Sequence, residues 1–207
     1  TTDGLQSQIS AAAGSSVQIV LDGDVTLDQT IQIPAKTAVT ITTDGAARTV
    51  KRGEGLTAAM FNVPAGSTLT LSGGESRLVL DGASVKASAA MVTSAGTLEL
   101  TNVDAKNAVN SKTGGAVYLT AGKLSVSGFT GNSAKTGGAI DTKTKVGIQM
   151  TVADSTFSAN TATTNGGAIN LMDTNTMTAT NTAFTGNKTT KSAANKGGAA
   201  VYVANTS

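Results

Sequence analysis

Carboxylates are the main side chains available for acid–base chemistry, because the chain contains no His and no Cys. A glycoside hydrolase needs two carboxylates about 5–9.5 Å apart in a groove, and a polysaccharide lyase adds a Ca²⁺ site and a basic residue. Neighbouring turns of a repetitive fold could supply such a pair. The candidate residues are Asp22, Asp24, Asp28, Asp44, Asp81, Asp104, Asp141, Asp154 and Asp173.

Two dense charged groups stand out, and both are more typical of solvated turns than of active sites. The acidic group is Asp22-Gly-Asp24 with Asp28, and the basic group is Arg48, Lys51 and Arg52. Sugar-binding grooves usually offer aromatic platforms beside convergent polar groups, and only Tyr118 and Tyr202 accompany the four Phe residues. A polysaccharide lyase or glycoside hydrolase is therefore an alternative interpretation, and no residue is assigned as catalytic.

The composition excludes several further classes of protein. Without Cys or His there is no thiol nucleophile, no Ser-His-Asp triad, no disulfide framework and no zinc site of the usual kind. A net charge of +2 is too small for an electrostatic nucleic-acid or membrane binder. No segment approaches the ~18 uninterrupted apolar residues of a membrane span. We expect no metal and no cofactor.

Short motifs recur along the chain with a period of roughly 26–30 residues, which falls within the range of repeat proteins. Positions 33–41 match positions 63–71 one for one, at an offset of 63 − 33 = 30. Gly-Gly-Ala followed by an apolar or small residue begins at Gly114, Gly137, Gly166 and Gly197. Phe-x-x-Asn begins at Phe129, Phe157 and Phe184, with Val103 expected at the equivalent position one repeat earlier. Constant short motifs separated by turns of variable length are typical of a solenoid.

The recurring apolar segments predict short strands, and the N-terminal residues predict one helix. Segments such as 39–41, 69–71, 98–100 and 124–126 alternate apolar and polar residues, as half-buried strands do. Leu5, Ile9 and Ala13 form one helical stripe before Gly14. We therefore predict an all-β parallel β-helix with two or three strands per rung. Residues 1–16 form a helical cap, residues 17–207 form rungs, and the chain is the front piece of a longer solenoid.

The repeated residues have structural roles in this interpretation. The three Phe rings stack from rung to rung, the Asn amides form a ladder, and the Gly pairs allow positive φ and close backbone approach at a corner. The residues are Phe129, Phe157, Phe184, Asn132, Asn160, Asn187, Gly114, Gly115, Gly137, Gly138, Gly166, Gly167, Gly197 and Gly198.

Hydroxyl side chains also recur at equivalent outward positions of the predicted strands. They could form a flat ligand face, which resembles the regular Thr arrays of ice-binding solenoids. Glu99 interrupts this column, and Thr is common in β-strands whether or not the strand binds a ligand. The residues are Thr40, Thr70, Ser125, Thr151 and Thr178.

The paired Gly-Gly-Ala-(Ile/Val) and Phe-x-x-Asn motifs of residues 114–200 resemble the repeats of chlamydial polymorphic outer membrane proteins. They are also similar to related right-handed β-helix surface proteins, including autotransporter passengers and wall-anchored proteins. Residues 1–100 resemble the pectate-lyase-like superfamily more generally. The resemblance implies a right-handed β-helix that acts in adhesion without enzymatic activity. We therefore expect an extracellular scaffold that binds a host or neighbouring-cell protein or glycan through its lateral faces and its longest turns, 42–59 and 141–147.

Overall fold

The structure, a computed structural model, describes residues 1–126, 128–191 and 197–204. Within those residues one helix is followed by 26 strands, and the paired strands are parallel. The N-terminal helix and the first two rungs comprise α1 (Thr2–Ala11), β1 (Ser16–Leu21), β2 (Val25–Leu27), β3 (Ile31–Gln32), β4 (Ala38–Thr43), β5 (Arg48–Arg52) and β6 (Phe61–Val63).

The following five rungs contain four strands each. The third and fourth rungs comprise β7 (Thr68–Ser72), β8 (Leu78–Asp81), β9 (Lys86–Ala87), β10 (Val92–Ser94), β11 (Thr97–Thr101), β12 (Val103–Lys106), β13 (Val109–Asn110) and β14 (Val117–Leu119). The fifth and sixth comprise β15 (Lys123–Val126), β16 (Gly128–Thr130), β17 (Ser133–Thr136), β18 (Ile140–Thr142), β19 (Gln149–Ala153), β20 (Thr156–Ser158), β21 (Thr161–Asn165) and β22 (Ile169–Leu171). The seventh comprises β23 (Thr176–Thr180), β24 (Ala183–Thr185), β25 (Lys188–Thr189) and β26 (Val201–Val203).

Equivalent strands of successive rungs pair to form four parallel sheets. Sheet A contains β1, β4, β7, β11, β15, β19 and β23, and sheet B contains β2, β5, β8, β12, β16, β20 and β24. Sheet C contains β3, β6, β10, β14, β18, β22 and β26, and sheet D contains β9, β13, β17, β21 and β25. Within a rung the chain visits sheets A, B, D and C in that order. The predicted parallel β-helix is confirmed, and five rungs have four strands where two or three were expected.

The alternation of apolar and polar residues decides which side chains enter the core. On β7, Leu69 and Leu71 are fully buried while Thr68 and Thr70 face outward and are half-buried. The next rung repeats the pattern, because Leu98 pairs with Leu69 and Glu99 pairs with Thr70. Stacking like on like every rung produces one continuous core along the solenoid axis.

Rung length varies more than the sequence pattern predicts. Val17 pairs with Val39 at an offset of 39 − 17 = 22, and Val39 pairs with Leu69 at an offset of 69 − 39 = 30. Leu98 pairs with Leu124 at an offset of 124 − 98 = 26. The registers of sheets A, B and C are nevertheless regular, because the additional residues of a longer rung are absorbed between strands.

Helix α1 covers the open edge of the first rung, as the sequence predicts. Leu5 and Ile9 are buried, and Gln6 pairs with the edge strand β3 through both ends of its amide. Its Oε1 accepts from the Gln32 N–H at 2.7 Å and its Nε2 donates to the Gln32 carbonyl at 3.0 Å. The side chain thereby occupies the hydrogen-bonding groups that a neighbouring strand would take. Ala13 was expected on the same stripe, but the helix ends at Ala11 and Ala13 is exposed.

The structure corrects two expectations about the segments between strands. Residues 42–59 do not form one long turn, because β4 extends to Thr43 and β5 occupies Arg48–Arg52. Arg52 also does not belong to a solvated turn, since it is 2% exposed and donates to the carbonyls of Leu56 and Ala58. Burial lowers the pKa of Arg52 to about 10, so the guanidinium still carries its charge at neutral pH.

Candidate functional site

The Phe residues of the repeat stack along sheet B. Phe129, Phe157 and Phe184 are successive pairing partners on β16, β20 and β24. Each pair of ring centroids is 5.0 Å apart, with interplanar angles of 13° and 12°. The residue below Phe129 in this column is Ala105 rather than the expected Val103, because β12 pairs Ala105 with Phe129.

The Asn residues form a ladder of amides immediately after this stack. The Asn160 Oδ1 accepts from both the backbone N–H and the Nδ2 of Asn132, each at 3.0 Å. The Asn187 Oδ1 accepts the same two bonds from Asn160, at 3.0 and 2.9 Å. Each Nδ2 also donates to a carbonyl of the rung below, as Asn160 does to Phe129. The ladder satisfies backbone groups inside the corner, leaving Asn132 and Asn160 no polar atom for an external ligand.

The two glycines of each motif are required for different reasons. The first has positive φ, as at Gly137 (56°), where a Cβ would also lie 2.1 Å from the Ile140 carbonyl oxygen. The second contacts the next rung, since a Cβ at Gly138 would lie 2.1 Å from the Gly167 carbonyl oxygen. Neither position tolerates a side chain without moving backbone. Gly114 and Gly115, and Gly166 and Gly167, repeat the two environments.

The fourth motif is shifted by one residue relative to the other three. Gly198, not Gly197, has the environment of the first glycine, with φ of 71° and a Cβ position 2.3 Å from the Val201 carbonyl oxygen. Val201 pairs with Ile169, so Ala199 takes the second position of the motif. The apparent departure at Ala200 therefore disappears, because the apolar residue that follows the motif is Val201.

The predicted hydroxyl residues lie in one column on the outer face of sheet A. Thr40 pairs with Thr70, Ser125 with Thr151, and Thr151 with Thr178. Glu99 stands between Thr70 and Ser125 in the same column, and its Oε2 accepts from the Thr70 hydroxyl at 3.0 Å. The column is therefore continuous in strand register, but it contains a carboxylate among the hydroxyl groups.

A groove of about 420 Å³ follows the corner between sheets A and B. Asp154 and Arg77 line it together with backbone and small polar residues, and Asp154 accepts from the Asn181 Nδ2 at 2.6 Å. Asp154 is the one carboxylate in its lining, so this groove does not assemble the carboxylate pair of a glycoside hydrolase. Among the described residues, no group of three or more Asp and Glu side chains could hold a metal ion.

Within the acidic group at 22–28, Asp24 makes a structural contact. Asp24 Oδ1 accepts from the Thr49 N–H at 2.7 Å, which ties the A–B corner of the first rung to β5. Arg48 forms two hydrogen bonds with Asp44, and this guanidinium lowers the pKa of Asp44. The predicted acidic and basic groups thus adjoin one another, and their contacts are of the kind that stabilise turns.

Asp141, one of the nine candidate carboxylates, is buried on the outer side of sheet C, and this burial was not predicted from the sequence. It is 2% exposed, accepts from the Thr136 hydroxyl, and accepts from the Asn170 Nδ2 at 2.9 Å. Burial raises the pKa of Asp141 to about 6. The Asn170 Oδ1, also buried, has no hydrogen-bond partner. A sequence signal existed, because Tyr118, Asp141 and Asn170 each follow Gly-Gly-Ala-(Ile/Val) and pair in one column.

The fold is a parallel β-solenoid, and the repeated Phe, Asn and Gly residues contact the equivalent residues of neighbouring rungs. Residues 154–171, from the corner before β20 to the end of β22, match the model of the Chlamydia polymorphic membrane protein repeat. The match and the fold fit a β-helical surface protein similar to that family. No curated protein and no solved structure matches the chain significantly. Of the helices described, none is long and apolar enough to cross a membrane.

Proposed function

We propose that this chain is a non-enzymatic adhesin scaffold on a bacterial cell surface, which binds a host or neighbouring cell. The observation that carries the proposal is the use of the repeat itself. Phe157 and Asn160 lie inside the region that matches the polymorphic membrane protein repeat, and both are consumed by contacts between rungs. Binding is thereby left to the lateral sheet faces and to the turns.

The turn at 143–147 is the best candidate among the connections for contact with a receptor. It joins β18 to β19, and its five residues are exposed, whereas Asp141 and Thr142 of the predicted turn 141–147 are buried on β18. Val146 is 36% exposed, an apolar side chain at the tip of an otherwise polar connection. Interfaces combine an apolar centre with a polar rim, so Val146 could serve as the apolar centre of a contact here.

The proposal predicts that the purified chain binds cells in a saturable manner and loses binding on heat unfolding. Val146→Ser should weaken binding, whereas Val20→Ser removes a more exposed valine from β1 and should not. The same preparation should leave pectin, hyaluronan and peptidoglycan intact. Release of reducing or unsaturated sugars would instead support the polysaccharide-active alternative, and thermal hysteresis in an ice-growth assay would support an ice-binding role for the sheet A column.

A further inference from the structure

The outer face of sheet D carries lysines and no acidic residue. Its strands lie in parts of the chain that contain no Asp or Glu, namely residues 82–98, 105–140, 155–172 and 174–204. The other faces differ, because Glu99 lies on sheet A, Asp104 on sheet B and Asp141 on sheet C. This face therefore carries only positive charges, although the net charge of the whole chain is small.

Five lysines lie on or directly beside the strands of this sheet. Lys86 and Lys188 stand at the two ends of the column that pairs through Val109, Ser133 and Thr161.

The other three lysines are Lys135 on β17, Lys112 just after β13 and Lys191 just after β25. The Lys135 N–H donates to the Lys112 carbonyl at 2.8 Å, and the Lys191 N–H donates to the Thr163 carbonyl at 2.9 Å. All five lysines are exposed, and the one ion pair within the described residues is elsewhere, between Arg48 and Asp44. From the third rung to the seventh the face is about 19 Å long, at the ~4.8 Å spacing of neighbouring strands.

Between the lysines runs a shallow groove of about 370 Å³ that is lined by hydrogen-bonding groups. Lys135 and Lys191 contribute ammonium groups, and the hydroxyls come from Ser111, Ser133, Thr161 and Thr163. The strands of sheet D contain no aromatic residue on which a nucleic-acid base could stack. Hydroxyls between point charges suit a sugar chain that bears anionic groups along its length.

We propose that sheet D binds a linear sulfated polysaccharide that lies along the solenoid axis. Lysines bind anions as point charges without the planar fork of Arg, and no Arg lies on these strands. A sulfate ester offers three oxygens that an ammonium and neighbouring hydroxyls can share. The inference rests on the proposed function in one respect, since it takes the polysaccharide to be presented on the surface that the adhesin meets.

The test measures binding of the full chain to heparin at physiological salt. The variant Lys112→Gln/Lys135→Gln/Lys191→Gln should bind about tenfold more weakly, because three charge contacts are lost. The control Lys36→Gln/Lys51→Gln/Lys123→Gln removes the same charge from exposed sites elsewhere and should bind within about twofold of the parent.

Several outcomes would overturn the assignment. The sheet D proposal fails if heparin does not bind the parent chain, or if both triple variants weaken binding equally. Equal affinity for hyaluronan, which has carboxylates but no sulfates, or for single-stranded DNA would contradict the choice of partner.

Cell binding separates this inference from the proposed function. If cells bind the chain regardless of heparin-lyase treatment and of the lysine substitutions, adhesion stands and the sheet D assignment falls. If heparin binding depends on the lysines but cells do not bind, the adhesin proposal falls instead.

Discussion

At the scale of single residues, Asp141 shows how an outward-facing side chain can become buried. Thr136 and Gly137 pass beside it on the way into β18, and a Cβ at Gly137 would lie 2.9 Å from the Asp141 Cβ. The neighbouring Tyr118 in the same column also has a raised pKa, mainly through desolvation and secondarily through Asp141. The carboxylate is thus solvated by a hydroxyl and an amide instead of water.

This environment predicts that the protein becomes more stable on mild acidification. The folded pKa of about 6 exceeds the ordinary value of 3.8, so the folded state binds the proton more tightly than the unfolded state. The free energy of unfolding should rise by roughly 2 kcal/mol between pH 7 and pH 4 and then level off. Urea unfolding across that range measures it.

Asp141→Asn should flatten this dependence and stabilise the protein at pH 7, since Asn170 can turn its free Oδ1 toward the new amide. Asp3→Asn on helix α1 removes a charge remote from the cluster and should keep the parent's dependence. A fall in stability between pH 7 and pH 5 would contradict the role given to Asp141.

Gly138 makes a second prediction at the residue scale. Gly138→Ala should lower the free energy of unfolding by at least about 2 kcal/mol, because the new methyl would overlap the backbone of the next rung. Gly55→Ala is the matched control, since nothing lies within 4 Å of its Cβ position and its φ is not positive. Similar melting temperatures for the two variants would show that the rungs can separate locally at little cost.

At the scale of elements, the Phe stack couples three strands of sheet B. Phe157 is fully buried and contacts a ring on each side, whereas Phe184 is half-buried and contacts one. Phe157→Ala should therefore cost about 3–5 kcal/mol of unfolding free energy. Phe184→Ala should cost clearly less in the same denaturant titration, and equal losses would show that the central ring has no greater weight.

The elements that could be predicted are those in which buried and exposed residues alternate along the local sequence. The apolar alternation of β4, β7 and β11 predicts sheet A and its register, and Leu5 with Ile9 predicts the cap. Sheet D was missed because strands such as Lys86–Ala87 and Lys188–Thr189 carry no alternation of large apolar residues. Their extended conformation follows from pairing with residues about one rung away in sequence, which no local pattern records.

At the scale of the whole molecule, the sequence repeat predicted the solenoid architecture, but it did not predict how residues are distributed on the surface. Phe, Asn and Gly are prominent in the sequence because each stacks on the same residue type in successive rungs. Binding faces need no such stacking, so the lysines of sheet D occur at irregular spacings and become one face only after folding. The burial of Asp141 was likewise not predicted, because it depends on the position of Thr136 at the end of β17.

The direction of the hydrogen bonds between rungs has a mechanical consequence. Because these bonds run along the solenoid axis, a pull on the two ends along that axis loads one row of bonds at a time. One rung, such as that from Leu98 to Leu124, releases roughly 90 Å of chain when it peels away. Pulling single molecules should give a series of steps of about this length rather than one rupture. Under tension such a solenoid would lengthen rung by rung while the remaining rungs stay folded.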